Sequence, residues 1–217
     1  MKKNILTLCI VFLLAGTSKS MDVQFMPLAG LTHSWFTMTG EDDTTLFSPG
    51  FSAGAAAHFS ISGSFGIKTA LKYSVININQ IMTFRHSTGD YPDITFTEHT
   101  ADAANSFSMA EIQLSPEFQF SVSETLKIFL SAGIKQAVVV LQTAELQNND
   151  PAFSPYDYSG ESHFNSTPTA LTAECGVKIS TGTGTAVTGL SFSVYLNQGG
   201  LLFGDVCSLE LYGGYFF

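Results

Sequence analysis

Positive charge is what this 217-residue sequence has least of: 9 lysines and arginines stand against 18 acids. Three of the nine, Lys2, Lys3 and Lys19, lie in the first twenty residues. Without them 6 cations face 18 acids, and the net charge moves from −9 to −12. Neutralising phosphates takes clustered Lys and Arg, so a nucleic-acid partner is not expected. Charged residues make up 12% of the chain, against ~25% in a soluble domain, which leans toward a membrane protein. After residue 20 no uncharged apolar stretch reaches the length of a spanning helix. If the chain crosses a membrane, it does so as a closed barrel.

The cations that remain are placed with a pattern. Lys68, Lys72, Lys127, Lys135 and Lys178 each fall in a stretch where apolar residues hold alternate positions, and always in the opposite phase. In a strand, successive side chains point to opposite faces. Phe65, Ile67, Leu71, Tyr73 and Val75 therefore share one face, and Gly66, Lys68, Ala70, Lys72 and Ser74 share the other. A soluble sheet buries the apolar face and wets the lysines. A membrane barrel turns the apolar face to lipid and the lysines inward.

Residues 1–20 carry the marks of a secretory signal: Lys2 and Lys3, an apolar run from Ile5 to Ala15, and small residues at Ser18 and Ser20. Cleavage is expected before Met21, leaving residues 21–217 as one all-β domain. Eight strands are expected, roughly Val23–Thr37, Phe51–Ile61, Phe65–Asn77, Phe107–Phe120, Leu126–Leu141, Thr169–Ile179, Thr185–Leu196 and Val206–Phe217. Most have the ~9–11 residues of a tilted spanning strand. Short turns at Ser62–Ser64, Ser121–Thr125 and Thr181–Gly184 alternate with long polar connections at 38–50, 78–106, 142–168 and 197–205. Outer-membrane barrels sort their connections this way, with short periplasmic turns and long external loops. The expected fold is thus an all-β, eight-stranded, antiparallel, up-and-down transmembrane β-barrel. Two places disturb the pattern. Pro116 removes a ladder donor and suggests a bulge there, and Ala137–Leu141 loses its alternation.

The last strand places Phe217, Tyr215, Gly213, Leu211, Leu209 and Cys207 on one face. A chain ending on Phe217, with the aromatic Tyr215 two residues earlier, resembles the signal that the barrel-assembly machinery reads. With Gly50-Phe51-Ser52-Ala53-Gly54, Leu71-Lys72-Tyr73-Ser74, Glu111-Ile112-Gln113-Leu114 and Tyr215-Phe216-Phe217, the chain resembles the small bacterial outer-membrane β-barrels. The likeness is to the PorT-like group, with OmpA/OmpX-type barrels as structural relatives. The resemblance implies a barrel, not an activity.

The candidate site is an interior charge cluster: Glu111, Lys135, Glu117, Lys127, Lys68, Lys72, Glu174, Lys178 and Glu210, all in the inward phase. With Phe120 opposite Leu126 across the turn, Glu111 is expected to face Lys135 directly, and Glu117 to lie diagonal to Lys127. Eight strands leave an interior just wide enough for side chains, so the cluster reads as structural pairing; an ion path is the alternative. Cys175 and Cys207 sit on the apolar phase of strands separated by another, roughly 10 Å apart, beyond disulfide reach. Two free lipid-facing thiols are expected.

An enzyme reading was weighed on His33, His86, His99 and His163, and on the His58-Phe59-Ser60 pair, which falls beside a short turn. No Ser-His-acid set assembles from sequence spacing on one rim, so no catalytic residue, cofactor or metal is assigned. The external connections hold Glu41, Asp42, Asp43, Asp90, Asp93, Glu98, Asp102, Glu145, Asp150, Asp157, Glu161 and Asp205, with Arg85 their only cation. This rim is read as solvated, with divalent cations bridging lipopolysaccharide, or a cationic partner, as sharper alternatives. The expected function is that of a monomeric, non-enzymatic outer-membrane protein of a Gram-negative cell, structural or surface-interacting. Its partners would be outer-membrane lipid, lipopolysaccharide and the assembly machinery. A narrow pore, a lipid-modifying enzyme and a soluble periplasmic ligand-binding barrel remain as rivals.

Overall fold

The computed structural model describes residues 22–36, 44–88, 95–151, 158–163, 167–196 and 206–217. The signal segment with its cleavage point lies outside these, as do Glu41, Asp42, Asp43, Asp90, Asp93, Asp157 and Asp205. The strands are β1 (Asp22–Phe36), β2 (Thr44–Leu46), β3 (Pro49–Ser60), β4 (Phe65–Thr88), β5 (Thr95–Ser121), β6 (Leu126–Asn148), β7 (Tyr158–His163), β8 (Thr169–Thr181), β9 (Gly184–Leu196) and β10 (Val206–Phe216). Eight of them close a ring in the order β1, β3, β4, β5, β6, β8, β9, β10, each antiparallel to the next. β10 returns to β1 through a ladder from Leu28–Gly214 to Phe36–Val206, so neither has an open edge over that length. β2 adds to β4 and β7 adds to β6. The turns are tight, closed by Ile61 N–H to the Phe65 carbonyl at 3.0 Å and Val122 N–H to the Leu126 carbonyl at 2.9 Å.

The phase of the lysines is now fixed in space. Leu71 and Ile112 are 62% and 61% exposed on the outer wall, while Lys68 and Lys72 are 4% and 5% exposed within. This polarity holds only over part of the barrel. On β5 the outward residues from Phe120 to Ala110 are apolar, and the inward Glu117, Ser115, Gln113 and Glu111 are polar. Past Met109 the assignment swaps. Ser108, Ser106, Asp102 and Thr100 face out, while Met109, Phe107, Ala103 and Ala101 face in. β4 swaps at the same level: outward Val75 is followed by Asn77 and Asn79, with half-buried Ile81 the one apolar residue among the outward positions up to Thr83, while Ile76 and Ile78 are buried inside. The outward apolar stretch Phe65–Val75 has the ~9–11-residue length of a spanning strand. Beyond it the wall is built like that of a water-soluble barrel.

That swap is why the connection expected at 78–106 is mostly ladder. β4 and β5 run 24 and 27 residues and stay paired up to Thr88–Thr95. Ile76–Thr88 alone is on the order of 40 Å of strand at ~3.3 Å per residue. The connection expected at 142–168 likewise holds the end of β6 and all of β7. The expected bulge also moves. At Pro116 the β5–β6 pairing skips without changing register, and the shift falls between Ser108 and Met109 instead. Opposite that point Val140 is the extra residue, which accounts for the lost alternation of Ala137–Leu141. Near Pro116 the gap is met by Gly133, where an added Cβ would stand 2.7 Å from the Ser115 Cα.

Among the described residues Cys175 and Cys207 form no disulfide, and β9 lies between their strands. Cys175 is exposed on the outer wall, but Cys207, expected to face lipid, is buried. Trp35 stands opposite it on β1, with its ring 6.2 Å from that of Phe192 on β9.

The observed register sets Ile112 opposite Gln136 and Leu114 opposite Ile134. In a Cys175→Ser, Cys207→Ala background, a cysteine pair at 112 and 136 is expected to form a disulfide on oxidation. A pair at 112 and 134, the partners under the sequence-derived register, is expected to stay reduced, because diagonal neighbours at ~7–8 Å exceed disulfide geometry. Intact mass after oxidation reads the difference.

Candidate functional site

Reading the inward residues along each strand gives three layers. β10 runs Val206, Ser208, Glu210, Tyr212, Phe216; β6 runs Val139, Ala137, Lys135, Ser131, Phe129; β9 runs Tyr195, Ser193, Ser191, Val187. The first members join Ile76, Ile78, Phe107, Met109 and Ala170 in one buried apolar cluster. The last join Met26, Leu28, Ala56 and Ala70 in a second, toward the turn end. Between and beside them lies a belt of four buried lysines, Lys68, Lys72, Lys135 and Lys178, and four buried glutamates, Glu111, Glu117, Glu174 and Glu210. The layers follow from the sequence pattern, since each strand spends its inward positions on apolar, then charged, then apolar residues.

The belt is cross-braced. Lys68 donates to Glu174, which also accepts from Gln113 Nε2 at 2.8 Å and Ser131 Oγ at 3.0 Å. Lys72 Nζ donates to Glu210 Oε2 at 2.6 Å, Ser52 Oγ donates to Glu210 Oε1 at 2.5 Å, and Lys135 Nζ lies 3.8 Å from Glu210. Lys178 Nζ donates to Glu117 at 2.5 Å, and His58 Nε2 is 3.1 Å from the same oxygen. Glu111 accepts from Ser74 Oγ at 2.8 Å and from the Tyr195 hydroxyl. The belt also rests on the aromatic rings of the lower cluster. Lys178 Nζ lies 5.4 Å from the centroid of Phe129 and 5.2 Å from that of Phe216, and Lys68 Nζ 5.0 Å from that of Tyr212. These are cation–π distances. Phe129 and Tyr212 fit because they stand over Gly176 and Gly189, where a Cβ would come within 2.7 and 2.9 Å of the rings.

The sequence-derived pairings need correction here. The β5–β6 ladder sets Lys135 opposite Gln113 and Glu111 opposite Ala137, a shift of two residues. The turn is tighter than assumed, with Val122 opposite Leu126. An even shift keeps every residue on its face, so the cluster stays inward while Glu111 and Lys135 take other partners. Glu117 is held by Lys178, not Lys127. Lys127 stands half-buried at the turn end, opposite Ser121 and Lys178. Tyr215 and Phe217 lie at that end of β10 with rings 5.1 Å apart, and Tyr215 Oη is 2.7 Å from Thr181 Oγ1. Among the other aromatics and histidines, His33 stacks on Phe47 at 4.8 Å and His99 on Phe84 at 5.5 Å.

Sequence reasoning missed Ser52, Tyr195 and Tyr212, and the bonds of His58 and Gln113 to the belt. All share the inward phase of the charged residues, which is the signal that picks them out. It also missed that Ser60 Oγ (3.4 Å from His58 Nδ1), His58 and Glu117 line up. Lys178 and Gln119 Nε2, at 2.9 Å, already occupy the acceptor side of Glu117. The set therefore reads as part of the belt. Among the described residues no group of His, Cys, Asp and Glu could hold a metal ion.

Leaving one member of a buried ion pair alone costs ~3–5 kcal/mol, whereas an exposed pair contributes ~0–1 kcal/mol. Glu210→Ala is therefore expected to lower folding stability by several-fold more than Glu98→Ala, whose partner Arg85 lies with it in solvent at 2.8 Å. Denaturant unfolding of the reconstituted protein checks this; equal losses would contradict the belt's role in holding the barrel closed.

No family model matches the chain, and no curated protein matches it. Solved structures similar to it include Neisserial surface protein A, with 14% identity and a TM-score of 0.48, covering 91% of this chain and 98% of that one. Ail, the attachment invasion locus protein of Yersinia pestis, in complex with the heparin analogue sucrose octasulfate, has 12% identity and a TM-score of 0.42, covering 92% and 100%. The N-terminal β-barrel domain of Pseudomonas aeruginosa OprF has 12% identity and a TM-score of 0.42, covering 90% and 100%.

Proposed function

We propose that this chain is an outer-membrane β-barrel of a Gram-negative cell, non-enzymatic, with a structural or surface-interaction role and a lumen filled by its own side chains. The observation that carries the reading is the inverted wall. Leu31, Leu71, Ile112, Phe118, Leu171 and Leu211 stand exposed on the outside while lysines and glutamates are buried inside. In water that arrangement is costly twice over, at ~25 cal/mol per Å² of exposed apolar surface and again for each buried charge. In lipid the first cost vanishes. A soluble periplasmic ligand-binding barrel would need the opposite wall.

The finer parts rest on sequence. Export through a signal at residues 1–20 and cleavage before Met21 account for the chain's start-side pattern. Tyr215 and Phe217 are the residues the barrel-assembly machinery would read. Kinship with the PorT-like group rests on the motifs around Gly50, Leu71, Glu111 and Tyr215. Lipid and lipopolysaccharide surround a monomer whose long-connection end faces outward. The layered lumen favours a closed barrel over a narrow pore, because an ion would have to pass two apolar clusters as well as the belt.

Heated and unheated samples on a semi-native gel test the fold in its membrane form. Two mobilities, with loss of the protein from solution when detergent is removed, are expected; a single mobility and detergent-free solubility would sink the proposal. In planar bilayers no unitary current is expected, and discrete channel openings would favour the pore. Intact mass of the mature protein is expected to begin at Met21.

A further inference from the structure

The upper part of the lumen has two unlike walls. On β4, β5 and β6 its inward residues Ile76, Ile78, Phe107, Met109, Ala137 and Val139 belong to the upper apolar cluster. On β8, β9, β10 and β1 the wall is a row of hydroxyls. Thr172 stands opposite Ser193, Ser193 opposite Ser208, and Ser208 opposite Ser34. One step nearer the turns, Glu174, Ser191, Glu210 and Thr32 are joined in a second row by the same ladders. All eight side chains are buried. Ala170, Tyr195 and Val206 cover the hydroxyl row on β8, β9 and β10.

The row does not satisfy itself. Thr172 Oγ1 lies 3.1 Å from Ser191 Oγ and accepts from Ser193 Oγ at 3.2 Å. Ser34 Oγ, at the β1 end, is fully buried and has no hydrogen-bond partner. A second group at the foot of the wall is in the same position. Lys135 is 3% exposed, and its ion-pair partner Glu210 stands at 3.8 Å, beyond hydrogen-bond reach. Lys72 and Ser52 already hold that carboxylate. The ladder neighbours of Lys135 do not help: Gln113 turns its Nε2 to Ser115 and Glu174, and Ala170 has no acceptor to offer. Leaving a buried hydroxyl and a buried ammonium bare is costly.

The chemistry of the wall selects what meets them. An anion would lie against Glu174 and Glu210, and a cation against Lys135 and Lys72. A neutral molecule that both donates and accepts fits the hydroxyls and the ammonium together. Buried water does this, typically with ~3 hydrogen bonds each to groups that otherwise have none. We propose that a file of buried water runs along the hydroxyl wall of β8, β9, β10 and β1, from the Lys135 ammonium to Ser34 Oγ. Lys135 is then the one belt lysine held through water, while Lys68, Lys72 and Lys178 bond carboxylates directly. The inference goes beyond the reading of a lumen filled by side chains, and it does not depend on what surrounds the outer wall.

Water-edited, proton-detected NMR of the full barrel in lipid bilayers tests it. Magnetisation from water is expected to reach the Lys135 Nζ protons and the Thr172 methyl, but not Val187 in the lower apolar cluster. Ser193→Val combined with Ser208→Val lines the wall with methyls and is expected to cut the transfer to Lys135 several-fold. Thr172→Val, nearly isosteric, removes one hydroxyl of the row and is expected to weaken the transfer by less. Circular dichroism shows whether each variant keeps its strands; if the double variant does not, Thr172→Val alone decides. Replacing chloride with gluconate is expected to leave the Lys135 resonance in place. No transfer in the wild type, transfer to Val187 as strong as to Lys135, or unchanged transfer to Lys135 in the folded variants would each overturn the water file. A Lys135 resonance that moves when chloride is replaced would assign the place to an anion and overturn it as well.

Discussion

A closed ring of eight strands fixes the width of its interior, and whatever points inward has to fill that width and neutralise itself there. Most other features of this molecule follow from that constraint. The buried lysines match the buried glutamates in number, and each carboxylate reaches a partner on a strand that is not its ladder neighbour. Glycine stands where a ring must lie, at Gly176 and Gly189. The apolar clusters at either end then cover the charges, which keeps their attractions strong.

The polarity swap expresses a second boundary condition on the same strands. A strand whose two faces exchange polarity partway along keeps its geometry, so only its sequence can change what each face presents. β5 does this without any break in conformation between Ala110 and Ser108. β6 does it with a bulge, the extra Val140 turning the following residues over. The wall above the swap is thus continuous with the wall below it, and its surface chemistry is held on a stiff support rather than a loose connection.

The ring, its order and the inward phase of the charged residues were legible in the sequence, because alternation over Phe65–Val75 or Leu126–Lys135 is a local signal. The upper half was not. Past Val75 the alternation continues with its polarity reversed, so Asn77 looks like the end of a strand and Phe107 like the start of the next. Pairing partners were also beyond reach. A turn shorter by two residues, both on the β5 side, moved Lys135 from Glu111 to Gln113 while leaving every face intact. The cross-lumen bonds depend on barrel shear, which no single strand encodes. Cys207 shows the same limit, since the residue opposite it, Trp35, lies in the first strand.

The separations of those cross-lumen bonds along the chain carry a kinetic consequence. Lys68 meets Glu174 across 106 residues, Lys72 meets Glu210 across 138, and Ser52 meets Glu210 across 158. Hairpins form early because their loops are short, but contacts this distant wait for the whole chain. Until β10 closes on β1, Lys72 has only Glu111 opposite it on the β4–β5 ladder, and Ser52 lacks the Glu210 carboxylate to which it donates. Closing the ring therefore completes the neutralisation of its interior, and a barrel caught before that step carries Glu210 unmatched at its unfinished seam.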